Sequence, residues 1–289
     1  MYCDIFDNST MNPTFILIDG SYFCFYRYYS IMNWWKKAFP DEKLEDPIHN
    51  SLFMDKYIKT FVDCVKDIPK KLNIDKSIHP ILIVGKDCKR ENIWRNEICK
   101  LEPNYIGNYK GNRKNRAEHG FLGGPVFHYT YENELFCKGG CKSTLFHEKL
   151  EADDCIAISV KYILNKYPNA KIYIITSDKD YLQLAEERVE IYNLFYKKLT
   201  EQKSSTGNAD TDLFLKIILG DPSDNIKPLF KKFGPKKALK CYQEPIYFET
   251  LLKENNAYSS YNFNKKLVDF NEIPEDITME FINKVIKKQ

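Results

Sequence analysis

The chain has 289 residues, enough for one large domain or a main domain with a smaller one. A hydrophobic share of 43% can build a core, while 29% charged residues and the lack of any run of eighteen apolar residues exclude a membrane-spanning helix. The formal net charge is only +3, yet six Lys and no acid lie between Asn225 and Gln243, and four basic residues and no acid run from Lys110 to Arg116. A polyanion partner therefore stays open despite the small sum. The nine Cys are odd in number and mostly single in apolar segments, which fits reduced thiols in an intracellular protein better than a disulfide framework. Met1 to Asn12 carries Asp4 and Asp7 and no basic cluster, so it does not read as a secretory signal. Cytoplasm and nucleus are not distinguished.

In chain order, Thr14 to Ile18 is a short apolar strand ending at Asp19-Gly20. Leu52 to Leu72 has helical spacing in Phe53, Tyr57, Phe61, Val62 and Val65. Pro80 to Val84 is a second strand, followed by Gly85, Lys86 and Asp87, and Asn92 to Leu101 reads as a helix. Gly107 to Lys149 is a long insertion of weak periodicity. Glu151 to Tyr167 is the next helix, Lys171 to Ile175 the third strand, Tyr181 to Glu187 helical, and Val189 to Tyr192 a fourth strand. Such alternation predicts an α/β fold with a mostly parallel central sheet flanked by helices. The spacing divides the chain into an α/β domain over 1–204, with its insertion at about 107–150, and a helical region over 205–289. That region includes helices at Asp210 to Leu219 and Pro235 to Tyr242. The apolar residues from Pro245 onward, among them Leu251, Leu252, Phe263, Leu267, Phe270, Phe281, Ile282 and Val285, are expected to pack around this smaller region.

Ligands of open parallel sheets bind outside the carboxyl ends of the strands. Asp19, Asp87 and the pair Asp178 and Asp180 all follow strand ends. Glu151, Asp153 and Asp154 open a helix, and Asp221 and Asp224 lie in Gly-Asp-Pro-Ser-Asp-Asn. Each has a bland reading, as a helix cap or a turn residue. Together they would repel unless a cation sat among them. An oxygen-only set suits Mg²⁺ or Mn²⁺, and two such ions about 4 Å apart are a common device of phosphoryl transfer. Lys110 and Arg113, in Tyr-Lys-Gly-Asn-Arg-Lys, could hold a phosphate diester near them, or form a solvated loop.

The segments Ile18-Asp19-Gly20-Ser21, Asp87 to Trp94-Arg95, Tyr109 to Arg113, Glu151 to Asp154, Thr176 to Asp180, Gly220 to Asn225 and Phe233 to Ala238 resemble, in this order, the flap endonuclease and 5′-exonuclease family. Phage-type members look most alike, and a viral source fits. The resemblance spans residues 14 to about 242. It implies a PIN-like nuclease domain over 1–204 with an arch in the insertion, and a helix–three-turn–helix element in 205–289. Asp19, Asp87, Glu151, Asp153 and Asp178 would surround one Mg²⁺ or Mn²⁺, with Asp154, Asp180, Asp221 and Asp224 nearer a second. Lys110 and Arg113 would be catalytic. Tyr22, Arg27, Lys114, Arg116, Lys232, Gly234, Lys236 and Lys237 would bind DNA at a 5′ flap or junction duplex, with a monovalent cation at the helix–three-turn–helix loop. For Tyr22 and Arg27, an aromatic helix packed in the core is an equal reading.

Three features depart from the family pattern. Lys232 replaces the first glycine of Gly-x-Gly-Pro-Lys, Asp87 lies two residues beyond Gly85, and Gly120, Gly123, Gly124 and Pro125 disfavour a long arch helix. Cys137 and Cys141, with His128 or His147, offer a loose zinc set, although scattered thiols are the plainer reading. There is no sliding-clamp motif, and a monomer is expected. The function implied is two-metal cleavage of DNA phosphodiesters, as flap endonuclease, 5′-3′ exonuclease or both. A 5′-3′ exoribonuclease of the same fold and a non-catalytic junction-binding protein are the alternatives.

Overall fold

The computed structural model describes residues 4–6, 12–102, 105, 108–113 and 120–287. Strand β1 (Thr14–Asp19) leads directly into helix α1 (Gly20–Ala38), followed by α2 (Ser51–Lys66), α3 (Ile68–Lys71), β2 (Ile81–Gly85) and α4 (Arg95–Leu101). Next come α5 (Gly123–Glu132), α6 (Leu135–Lys138), β3 (Cys141–Leu145), α7 (Ala152–Lys166), β4 (Lys171–Ile175) and β5 (Val189–Tyr192). Helices α8 (Ala209–Leu219), α9 (Pro235–Gln243), α10 (Pro245–Glu254), α11 (Tyr258–Val268) and α12 (Glu275–Phe281) complete the chain.

The sheet has five parallel strands in the order β3-β2-β1-β4-β5. Every residue of β1 is buried, because both faces of a parallel sheet are covered by helices. Alternation sends Phe15 and Leu17 into one core with Ile156, Val160 and Ile163 of α7 and with Ile277 and Phe281 of α12. Ile16 and Ile18 enter the other, with Phe23 of α1, Phe61 of α2, Val126 of α5 and Phe136 of α6. A third cluster joins Cys99 of α4 to Ile217 of α8 and Leu267 of α11, and a fourth joins Ile218 to Ala238 and Cys241 of α9 and Leu252 of α10.

Several expectations change. The helix expected over 52–72 breaks at Asp67, and Pro69 sits in the first turn of α3, where its missing N–H costs nothing. The stretch expected as helix from Tyr181 is a 3₁₀ turn over Lys179–Leu184. The insertion holds β3, an edge strand whose sequence Cys-Lys-Ser-Thr-Leu buries only Cys141 and Leu145 and so lacks the apolar run of β1, β2 and β4. The C-terminal apolar residues divide. Leu251 and Leu252 pack with α9, whereas Phe270, Phe281, Ile282 and Val285 return to the sheet core.

Candidate metal centre and nucleic-acid interface

The carboxyl edge of the sheet gathers acids from four segments, and the local hydrogen bonds explain why each stands where it does. Asp19 caps α1, accepting from the Tyr22 amide at 3.0 Å and from Thr176 Oγ1 beyond β4 at 2.9 Å. A Cβ on the next residue, Gly20, would collide with the Gly85 carbonyl and the Tyr131 hydroxyl, so only glycine lets β1, β2 and α5 converge there. Asp87 accepts from the Ala152 amide at 2.8 Å and from the Ser21 hydroxyl, which ties β2 to the starts of α7 and α1. Asp178 caps the turn after β4 by accepting from the Asp180 amide at 3.0 Å. Glu151 and Asp154 form a reciprocal capping box at the start of α7. The bland and the chemical readings of these acids therefore coexist.

One oxygen each from Glu151, Asp153 and Asp154 lies within 4.8 Å of the others, and all three residues are buried. Burial, then the charges of Asp87 and Asp178, push the Asp19 carboxyl up to about 7. Burial also raises Glu151, against the opposing pull of Lys110 and Arg95. Asp153 is held well above the carboxylate range by burial and then by Asp154 and Glu151. Crowded, desolvated carboxylates with no thiol or imidazole among them fit hard divalent cations. Cys137 is exposed and Cys141 buried in β3, and neither joins a group of three ligands among the described residues.

Asp154 differs from its neighbours. It is fully buried, its oxygens receive Arg95 Nη1 and Nη2 at 2.8 and 2.7 Å, and Trp94 Nε1 adds a bond at 2.9 Å. Arg95 is itself 2% exposed, reaches Glu151 at 3.2 Å, and donates from Nε to the Leu267 carbonyl at 2.8 Å. Burial works against its charge, but Asp154, Tyr109 and Glu151 outweigh it and raise its pKa. Trp94-Arg95 carries the resemblance in the sequence, yet its function as a brace for these acids is visible only in three dimensions.

Lys110 Nζ lies 2.5 Å from Glu151 and 3.9 Å from Asp224. Its backbone is left-handed, at φ 55°, and its amide donates to the Asp224 carbonyl at 2.9 Å, a strained conformation of the sort found at functional sites. Arg113 pairs with Asp224, and the Tyr109 hydroxyl donates to Asp224 at 3.0 Å. The basic loop is thus strapped to the turn holding Asp221 and Asp224. Gly220, at φ 69° and crowded by the Ile226 and Lys227 backbone, admits no side chain at the start of that turn. A residue not singled out from sequence completes the set. Lys216 of α8 pairs with Asp180 and lies 3.1 Å from Asp221. Its place one turn before Gly220-Asp221 was the available signal, but charge alone does not distinguish it from other helix lysines. A cleft of about 530 Å³ runs between Asp178, Asp180, Lys216, Asp221 and Pro235.

Lys232, Gly234, Lys236 and Lys237 are exposed at the start of α9, beside this cleft, and no ion pair engages the three lysines among the described residues. Gly234 has open space around it. Arg27 is a correction. It is 8% exposed and donates to Thr60 Oγ1 of α2 at 2.8 Å, so it locks two helices together and cannot reach a duplex. The Tyr22 hydroxyl accepts from the Leu194 amide at 3.0 Å, which pins the loop after β5. Lys114 and Arg116 lie outside the described residues.

Two outcomes follow directly. Asp19 is raised in the fold from an ordinary 3.8, so its stabilising protonated form is present below that value and lost as pH climbs through about 7. In EDTA the melting temperature should fall between about pH 4 and 7, with Asp19 contributing about 4 kcal/mol at most over that interval, and Mg²⁺ should reduce the fall. Asp19→Asn should flatten the EDTA profile, and an unaltered slope would refute this. Lys232 has φ 54°, in the left-handed region where the family pattern has glycine. Lys232→Gly should relieve that strain and raise the melting temperature by roughly 1–3 °C, which calorimetry can check.

Against known proteins, a family model described as "5'-3' exonuclease, N-terminal resolvase-like domain" matches residues 14–211. A 5'-3' exonuclease of Buchnera aphidicola is 30% identical over 241 residues, covering 80% of this chain and 71% of that protein. "Ribonuclease H" of Enterobacteria phage T4 is 31% identical over 151 residues, which span 47% of this chain and 48% of the relative, about half its length. The crystal structure of T5 D15 protein with metal ions superposes with a TM-score of 0.62 at 17% identity, covering 93% of this chain and 96% of that one. A pseudo-enzyme-product complex of the bacteriophage T5 flap endonuclease with DNA and metal ions gives a TM-score of 0.61 at 17% identity, over 96% and 100% of the two chains. These structural likenesses establish the shared fold, and with the match over residues 14–211 the chain belongs to the 5′-3′ exonuclease family.

Proposed function

We propose that this protein is a metal-dependent 5′-nuclease that hydrolyses DNA phosphodiesters at or near 5′ flaps and single-strand/duplex junctions. The observation that carries the reading is the carboxylate edge itself, where burial and mutual repulsion push Asp19 to about 7. Asp19, Asp87, Glu151, Asp153 and Asp178 would hold one ion, with Asp180, Asp221 and Asp224 nearer the second. Two Mg²⁺ or Mn²⁺ bound there supply an activated water and stabilise the leaving oxygen. Asp154, expected from the sequence nearer the second ion, has its oxygens taken by Arg95 and Trp94 and instead keeps Glu151 in place through Arg95. Lys110 and Arg113 grip the scissile phosphate and offset its growing charge. Lys232, Lys236, Lys237 and the open backbone at Gly234 take the duplex phosphates without reading sequence, with room for a monovalent cation at that loop. The 205–289 region supplies most of this duplex contact, and the protein acts as a monomer in a reducing, intracellular setting.

One 5′-labelled DNA flap, a blunt duplex and the matching RNA flap, each in Mg²⁺ and in EDTA, test the reading. A Mg²⁺-dependent cut near the flap junction supports flap endonuclease action, and mononucleotides from the duplex end support exonuclease action. Degradation of RNA alone would establish the exoribonuclease reading instead, which the phage T4 relative named "Ribonuclease H" favours. Binding in EDTA with no turnover in Mg²⁺ would reduce the protein to a junction binder.

A further inference from the structure

The cations of the acidic edge are not alike. Lys110, Arg113, Lys216 and Arg95 are each paired with a carboxylate. Lys86, one residue before Asp87, is not. Its ammonium lies 4.7 Å from the ring centre of Tyr131 and 5.4 Å from that of Phe146, and no ion pair engages it among the described residues. Two aromatic faces hold a charge in place without neutralising it, so this half-buried ammonium has no carboxylate partner among the described residues to give up before it meets an anion. Phe146, which follows β3, is 44% exposed, so its ring is open to solvent beside Lys86.

The position in the sheet indicates what would come there. The exposed lysines of α9 and the cleft reaching Pro235 lie on the β4 side of the acids. Lys86 and Phe146 follow β2 and β3, on the opposite flank. A duplex seated on α9 leaves the acids on its single-stranded side toward β3. Resting on the nuclease reading above, we propose that Lys86 and Phe146 form a subsite for the unpaired 5′ segment, Lys86 taking a phosphate and Phe146 stacking on a base. A free cation beside an exposed ring is the pairing that single-stranded nucleic acid needs, since every base offers a face and every nucleotide a charge.

The test is fluorescence anisotropy of the full chain with a DNA junction carrying or lacking a 5′ single-stranded flap, in EDTA over a range of salt. Lys86→Met should weaken the flapped complex roughly threefold more than the flapless one, in line with one exposed charge pair. It should also lower the flapped salt slope by about 0.7. Lys86→Arg should restore both. Phe146→Ala should cost the flapped complex roughly fivefold or more relative to the flapless one. Equal losses on both junctions, or none on either, would show that the two residues only pack the rim, and would leave the nuclease reading standing. Failure of the unaltered chain to bind either junction would overturn that reading together with this one.

Discussion

Asp178→Asn combined with Asp180→Asn is expected to lower single-turnover cleavage of a flapped DNA at least a thousandfold, about 4 kcal/mol of transition-state stabilisation, while leaving DNA affinity within a few-fold. The two substitutions keep side-chain size and hydrogen-bonding capacity, so the cap on the turn after β4 survives. What disappears is negative charge at the edge of the cleft. Asp178 contributes to the repulsion that raises Asp19, and Asp180 is a partner of Lys216. With Asp180 neutral, Lys216 retains Asp221 at 3.1 Å, and the loss of like charge near phosphate does not weaken binding. Anisotropy and quenched-flow cleavage on the same preparation separate the two effects. Turnover near the unaltered rate would remove this acid pair from the chemistry.

Arg95→Met should have the largest effect on stability. The substitution preserves most of the buried volume but leaves Asp154 and Glu151 in the core without their cation, a change that costs about 3–5 kcal/mol. For a chain of this size the melting temperature should drop by roughly 6–20 °C. Adding Asp154→Asn should recover part of the loss, because the orphaned charge is then gone. A single variant that melts within roughly 2 °C of the parent would show that water or rearrangement compensates, and that Arg95 is not the brace described.

Strands β1, β2 and β4 were legible in the sequence as apolar runs that both faces of the sheet cover, and β5, at the other edge, through the alternation of Val189 and Ile191 with Glu190 and Tyr192. β3 was not, because an edge strand with Lys142, Ser143 and Thr144 looks like loop. The acids were legible as strand-end residues, and the structure brings them to one edge. Their partners were not. Nothing local to Arg95 or Lys216 says that one will be buried against Asp154 and the other placed between Asp180 and Asp221, since those pairings join segments 59 and 36 residues apart. Arg27 shows the converse. The resemblance implied a contact with nucleic acid, while its aromatic neighbours allowed a core helix, and the packing of α1 on α2 turns it inward. The C-terminal residues from Phe270 were assigned to the wrong core because helical periodicity reveals an apolar face but not the surface it meets.

The strand order also sets a timetable for folding. β1 is the middle strand and the first to be synthesised, yet the bond from Thr176 to Asp19 spans 157 residues. At about 5–20 residues per second, β1 waits roughly 8–30 s on the ribosome before β4 exists to pair with it. During that interval one of the most apolar segments of the chain has an open edge, and pairings between such distant segments form slowly. Aggregation in the test tube and dependence on chaperones in the cell would both be set by this interval rather than by the stability of the finished sheet.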